Sequence, residues 1–77
     1  MLSFITFKDA PEQLEIVADS KGIEELIGYL NDINNCKDHI HLILGNELEE
    51  VAICEERKGK TLIAKHVRIE YFNETVE

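Results

Sequence analysis

Five apolar residues between Ser20 and Asn34, namely Ile23, Leu26, Ile27, Leu30 and Ile33, recur at steps of three and four. That is the period of an α-helix, so all five fall on one stripe and the segment is predicted to be a single amphipathic helix. Asp19 or Ser20 offers a side-chain oxygen to the unpaired amides of the first turn, Glu24 and Glu25 sit near the positive end of the helix dipole, and Asn34-Asn35 reads as a stop. On either side of this stretch the apolar period is two. A chain with one helical stripe between alternating runs has to lay that stripe on a sheet, which makes an α+β fold the expectation.

The alternating runs set the order of the strands. Leu2 to Phe7 is β-branched and aromatic, Lys8-Asp9-Ala10-Pro11-Glu12 is turn-like, and Gln13 to Asp19 alternates again with Leu14, Ile16 and Ala18 on one face. After the helix, Asp38 to Leu44 alternates so that Ile40, Leu42 and Leu44 face the helix while His39 and His41 face away. Gly45-Asn46 ends that strand. A weaker run from Glu47 to Cys54 reads as a further strand without a clear inner face. Glu55 to Gly59 reads as a hairpin turn, and Lys60 to Phe72 as a long closing strand with Ile63, Val67, Ile69 and Tyr71 inward. The predicted architecture is a two-layer sandwich, approximately ββαβββ, with one amphipathic helix on a mainly antiparallel sheet. It forms a single domain over residues 1–77, with a first strand and turn over 1–12 and a frayed tail over 73–77.

One helix cannot cover both faces of a five-stranded sheet. The far face is expected to carry Arg68 together with His39, His41, Ile43, Leu62, His66 and Phe72, a mixture too apolar for plain solvent surface. Self-association as a homodimer is therefore expected to run through those last six residues.

Charge narrows the choice of partner. Eight Lys/Arg against sixteen Asp/Glu give a formal charge of −8, and the pI is near 4.7. Nucleic-acid binding depends on neutralising phosphates, and no Lys/Arg run here offsets the protein's own negative field. A cationic partner fits better. The acidity is densest in the first 34 residues, where Asp9, Glu12, Glu15, Asp19, Glu24, Glu25 and Asp32 face only Lys8 and Lys21. Such residues commonly keep a surface solvated. They can equally steer a basic protein, and on that reading Glu12, Glu15, Glu24, Glu25, Asp32, Glu47, Glu49 and Glu50 are the candidate partner-binding residues.

A chain this short supplies only about 3–5 kcal/mol from its core, too little scaffold for the deep pocket of most enzymes. Cys36 and Cys54 allow one bridge at most, a poor match to small disulfide-framed secreted domains, so a reducing cytoplasm is the expected setting. No apolar stretch reaches the roughly 20 residues of a membrane helix, and the start lacks a signal peptide's basic and apolar regions. No membrane partner is expected.

The sharpest chemical pattern is His39-x-His41. Two residues apart on a strand, the rings project from the same side with Cα atoms about 6–7 Å apart, and His66 on the closing strand could pair beside them. Three converging imidazoles could hold zinc with an open position for a nucleophilic water, as a small metal-dependent hydrolase would need. Packing or interface histidines are the plainer reading, because no Asp or Glu is evidently placed to orient the rings or act as a base. Cys54 beside Glu55 and Glu56 is in a field that disfavours a thiolate, and Cys36 has no identifiable base. No phosphate-binding, dinucleotide or metalloprotease motif occurs. No catalytic residue and no cofactor is assigned, and the chain is not expected to be an enzyme.

The order of segments adds to this. Leu14-Glu15-Ile16 leads into Asp19-Ser20-Lys21-Gly22-Ile23-Glu24-Glu25-Leu26, then Asp38-His39-Ile40-His41-Leu42, then Lys65-His66-Val67-Arg68-Ile69-Glu70-Tyr71. Over about residues 13–72 this resembles the immunity protein 32 family, small bacterial proteins associated with polymorphic toxin systems. Many members carry a Trp- and Gly-containing segment after the histidine strand, where this chain reads Gly45-Asn46-Glu47-Leu48. The resemblance implies a cytoplasmic protein that binds and neutralises a cognate toxin domain by occlusion, and it assigns no catalytic role to the three histidines. With a charge of −8, a basic toxin such as a nuclease is the expected partner. The alternative is a homodimeric structural or interaction module.

Overall fold

The computed structural model describes residues 1–52, 56, 58–60 and 61–74. The elements run β1 (Leu2–Phe7), β2 (Leu14–Ala18), α1 (Ser20–Cys36), β3 (His39–Ile43), β4 (Thr61–Ile63) and β5 (His66–Glu70). Among the described residues every strand ladder is antiparallel, which gives the expected α+β arrangement, with five strands and one helix in ββαβββ order.

The strands form two sheets instead of one. β2-β1-β4 make a three-stranded sheet and β3-β5 a two-stranded one. The long closing strand expected over Lys60 to Phe72 is divided at Ala64-Lys65, where the chain changes partners. The Ala64 amide still donates to the Phe4 carbonyl at 2.8 Å, whereas the Lys65 carbonyl accepts from the Leu44 amide at 2.9 Å. One residue therefore belongs to each sheet, and the ribbon passes from the first to the second at that point.

The run from Glu47 does not form the predicted strand. Gly45, at φ +95°, turns the chain back sharply. The Gly45 amide donates to the Leu48 carbonyl, and the amides of Asn46 and Leu48 both donate to the Ile43 carbonyl. This hook brings Leu48 beside Leu44 and buries it completely. Glu47 Oε1 accepts from the Ile43 amide at 3.0 Å, satisfying a strand-end donor that has no ladder partner. The later part of that run, Ile53 and Cys54, lies outside the described residues. So do Glu55 and Arg57 of the expected hairpin turn and the last three residues of the expected frayed tail.

The core lies where the two sheets and the helix meet. Leu2, Phe4, Leu42 and Leu48 are buried together, with Ala18, Leu26, Tyr29, Ile40, Leu44, Ala64, Val67 and Ile69 packed around them. Both faces of β1 are buried, because Ser3 and Ile5 on its other face are as enclosed as Leu2 and Phe4.

Helix α1 begins as expected. Asp19 is the N-cap, its carboxylate accepting from the Gly22 amide at 2.8 Å and from the Met1 ammonium at 2.7 Å. Glu24 and Glu25 fall beyond the first turn, which holds no acidic residue, so Asp19 alone complements the helix dipole there. The helix runs past Asn34-Asn35 to Cys36 and stops at Lys37 in the left-handed conformation, whose amide donates to the Ile33 carbonyl. Only part of the predicted stripe is claimed by the core. Ile33 is buried and Leu26 half-buried, but Ile23, Ile27 and Leu30 are exposed.

Candidate functional site

Sheet pairing brings the histidines together on the outward face of β3-β5. The register sets His41 opposite Arg68 and Ile43 opposite His66, so His66 is the diagonal neighbour of His41. His41 Nδ1 and His66 Nε2 are 2.6 Å apart, a hydrogen bond in which one ring donates and the other accepts. The His39 ring meets that of His41 edge-on with centroids 5.0 Å apart, and the His39 Nδ1–H donates to Asp38 at 2.8 Å. Loss of hydration comes first in holding the His41 imidazole below the ordinary histidine range, followed by the nearby His66, His39 and Arg68. The rings therefore satisfy one another and a neighbouring carboxylate. Among the described residues, no group of three or more His, Cys, Asp or Glu is placed to hold a metal.

The rest of this face is mixed. Arg68 pairs with Glu70 at 2.9 Å, Ile43 is partly exposed, and Phe72 is almost fully exposed just beyond β5. Leu62 was expected on this face. It belongs to β4 opposite Thr6, in the other sheet and on the face that also carries Leu2 and Phe4. The six residues expected to share one self-association face are therefore divided between two surfaces, because the closing strand changes sheets at Ala64-Lys65.

The acidic residues sort into those that converge and those that do not. Asp19, Glu49 and Glu25 all act on the Met1 ammonium and hold its pKa above the ordinary range, the hydrogen bond from Asp19 being the largest cause. In return, the ammonium and then the Gly22 amide hold the Asp19 carboxyl below its usual range. Glu25 and Glu47 both act on Tyr29, whose phenol is pushed up first by burial and then by these two carboxylates. Carboxylates from the strand–helix junction, the second turn of α1 and the hook after β3 thus act on the same two groups, Asp19, Glu25 and Glu49 on the Met1 ammonium and Glu25 and Glu47 on Tyr29. The backbone explains the place of the hook, since the Glu49 amide donates to the Leu2 carbonyl at 2.9 Å and ties the hook to β1. The sequence offers Asp19 as a helix cap and as one of the seven acidic residues before Asn35, but not as a partner-binding candidate. Its place in the acidic group follows from this tie, which nothing in the local sequence announces.

The other expected partner-binding residues are distributed elsewhere. Glu12 is exposed in the turn between β1 and β2, Glu15 is half-buried on β2, and Glu24 and Asp32 are exposed on α1. Glu50 borders a cleft of about 300 Å³ that is also lined by Leu44, Lys58, Gly59, Thr61, Leu62, Ile63 and Lys65. Of the cysteines, Cys36 is free and exposed at the end of α1.

Comparison of the chain with protein-family models, with curated proteins and with solved structures gives no match.

Proposed function

We propose that the protein is an immunity protein that neutralises a basic toxin domain by covering its working surface. Two things support the reading: the ordered segments that resemble the immunity protein 32 family, and the convergence of carboxylates from three separated parts of the chain. The second carries it. Asp19, Glu25 and Glu49 act together on the Met1 ammonium and Glu25 and Glu47 on Tyr29, in a chain whose formal charge is −8, and a negative surface built from them would compete with a polyanionic substrate for a cationic cleft. Occlusion needs no bond chemistry from the inhibitor. On this reading the protein acts in the cytoplasm, where a nuclease toxin would otherwise meet its substrate.

The test is co-expression with candidate toxin domains, scored by survival and by recovery of a complex. Wild-type protein rescues the cognate toxin. A Glu25→Lys, Glu49→Lys double variant is expected to slow association by roughly tenfold or more at low salt, because it reverses the local field that steers encounter. Rescue by no toxin encoded beside the gene would remove the reading's support.

A further inference from the structure

We infer that the protein is a homodimer in solution, joined through the Leu2–Phe4 face of the three-stranded sheet and the outer stripe of α1. On that face, Leu2 and Phe4 of β1 belong to the buried cluster against which Leu26 and Tyr29 of the helix pack. The pairing continues the same face outward: Ile16 is opposite Phe4, and both Leu14 and Leu62 are opposite Thr6. Leu2 and Phe4 are buried at one end of this face, whereas Leu14, Ile16 and Leu62 are exposed. A second exposed apolar set lies on α1, the part of its stripe that the core does not claim. At about 100° per residue, Ile23, Ile27 and Leu30 point roughly a quarter-turn away from Leu26, Tyr29 and Ile33. Leu14, Ile16, Ile23, Ile27, Leu30 and Leu62 are each between 46% and 57% exposed.

Area and shape indicate a second copy as the occupant. A monomer of 8.8 kDa is expected to expose about 4,800 Å². This chain exposes 5806 Å², an excess of about 1,000 Å² over that scaling. A standard interface removes about 800 Å² from each partner. The radius of gyration is 14.3 Å, against about 11.5 Å for a compact domain of this length. One chain alone is therefore under-buried by about the amount that one protomer contributes to a dimer. The charge pattern on the helix agrees. Glu25 and Asp32 lie on the far side of α1 from the stripe by the same helical count. Two copies can bring these surfaces together without bringing their carboxylates face to face.

Sedimentation equilibrium of the full chain, with far-UV circular dichroism as a fold control, tests this. Wild type is expected at twice the chain mass at micromolar concentration. Ile27→Glu is expected to raise the dimer dissociation constant roughly a hundredfold or more, because two-fold symmetry buries the new charge twice. Ile43→Glu on the histidine face is expected to leave the dimer intact. Should Ile27→Glu lose its circular dichroism signal, Leu62→Gln gives the same readout with a milder change. A monomeric wild type would leave the surface to a different protein and overturn the inference. So would a dimer that withstands both Ile27→Glu and Leu62→Gln, or one that Ile43→Glu dissociates.

Discussion

At the scale of single residues, two glycines in the same helix are expected to respond in opposite ways. Gly22 is buried where the helix start meets the end of the chain, and a Cβ there would sit 1.8 Å from the Met1 carbonyl oxygen and 3.1 Å from the Ala18 Cβ. The oxygen is backbone, and it accepts from the Asp19 amide, so it cannot move without disturbing the helix cap. Gly28 lies in mid-helix with nothing within 4 Å of its Cβ position. Gly22→Ala is expected to destabilise by about 1–3 kcal/mol through overpacking, whereas Gly28→Ala is expected to stabilise by about 0.5–1 kcal/mol by restricting the unfolded chain. Urea melts of the two variants check the pair, and equal shifts would show that Gly22 is not a point of close approach. Both glycines read alike in the sequence as weak spots in a helical pattern. Only the packing of residues far apart in the chain separates them.

At the scale of elements, the histidine face ties the β3-β5 pair to pH. His41 has its pKa depressed in the folded protein, so the unfolded chain takes up a proton first as pH falls below about 6.5. The resulting stability is fully present above that pH and is lost as pH drops toward the folded value. The groups facing His41 are His39 and Asp38 on its own side and His66, Arg68 and Glu70 across the ladder. Arg68 and any proton on His66 oppose a charge on His41. The melting temperature is expected to fall between pH 7.5 and pH 5, and His41→Gln is expected to flatten that fall while keeping a neutral hydrogen-bonding side chain. Indistinguishable pH profiles for the two proteins would refute the assignment to His41. Elements such as α1, β1, β2 and β3 were legible because each carries its own period and its own stop. The hook at Gly45–Leu48 and the break at Ala64-Lys65 were not, since both depend on which strand a backbone group pairs with. Leu48 looks like one position of an alternating strand, yet it is buried by a turn that folds it onto Leu44. The stripe on α1 was legible as apolar, but its division between core and open surface depends on how far the sheet reaches.

At the scale of the whole molecule, the proposed partner and the inferred dimer respond to salt with opposite signs. A formal charge of −8 on 77 residues means that two copies repel at long range even though their apolar surfaces match. Raising ionic strength shortens the screening length to about 10 Å at 0.1 M and weakens that repulsion, leaving apolar contact, which needs no charge, to hold the dimer. Attraction between this acidic chain and a basic domain is weakened by the same screening. Between about 0.02 M and 0.3 M NaCl, the dimer dissociation constant is therefore expected to fall or hold steady. The association rate with a basic toxin domain is expected to drop severalfold. Sedimentation equilibrium and stopped-flow binding on one preparation give both numbers. A dimer that dissociates as salt rises would place the contact on charged residues such as Arg68 and Glu70 instead of the α1 stripe. Toxin binding that is indifferent to salt would move that contact away from Asp19, Glu25, Glu47 and Glu49. Because the two surfaces are chemically distinct, either result can be obtained without the other.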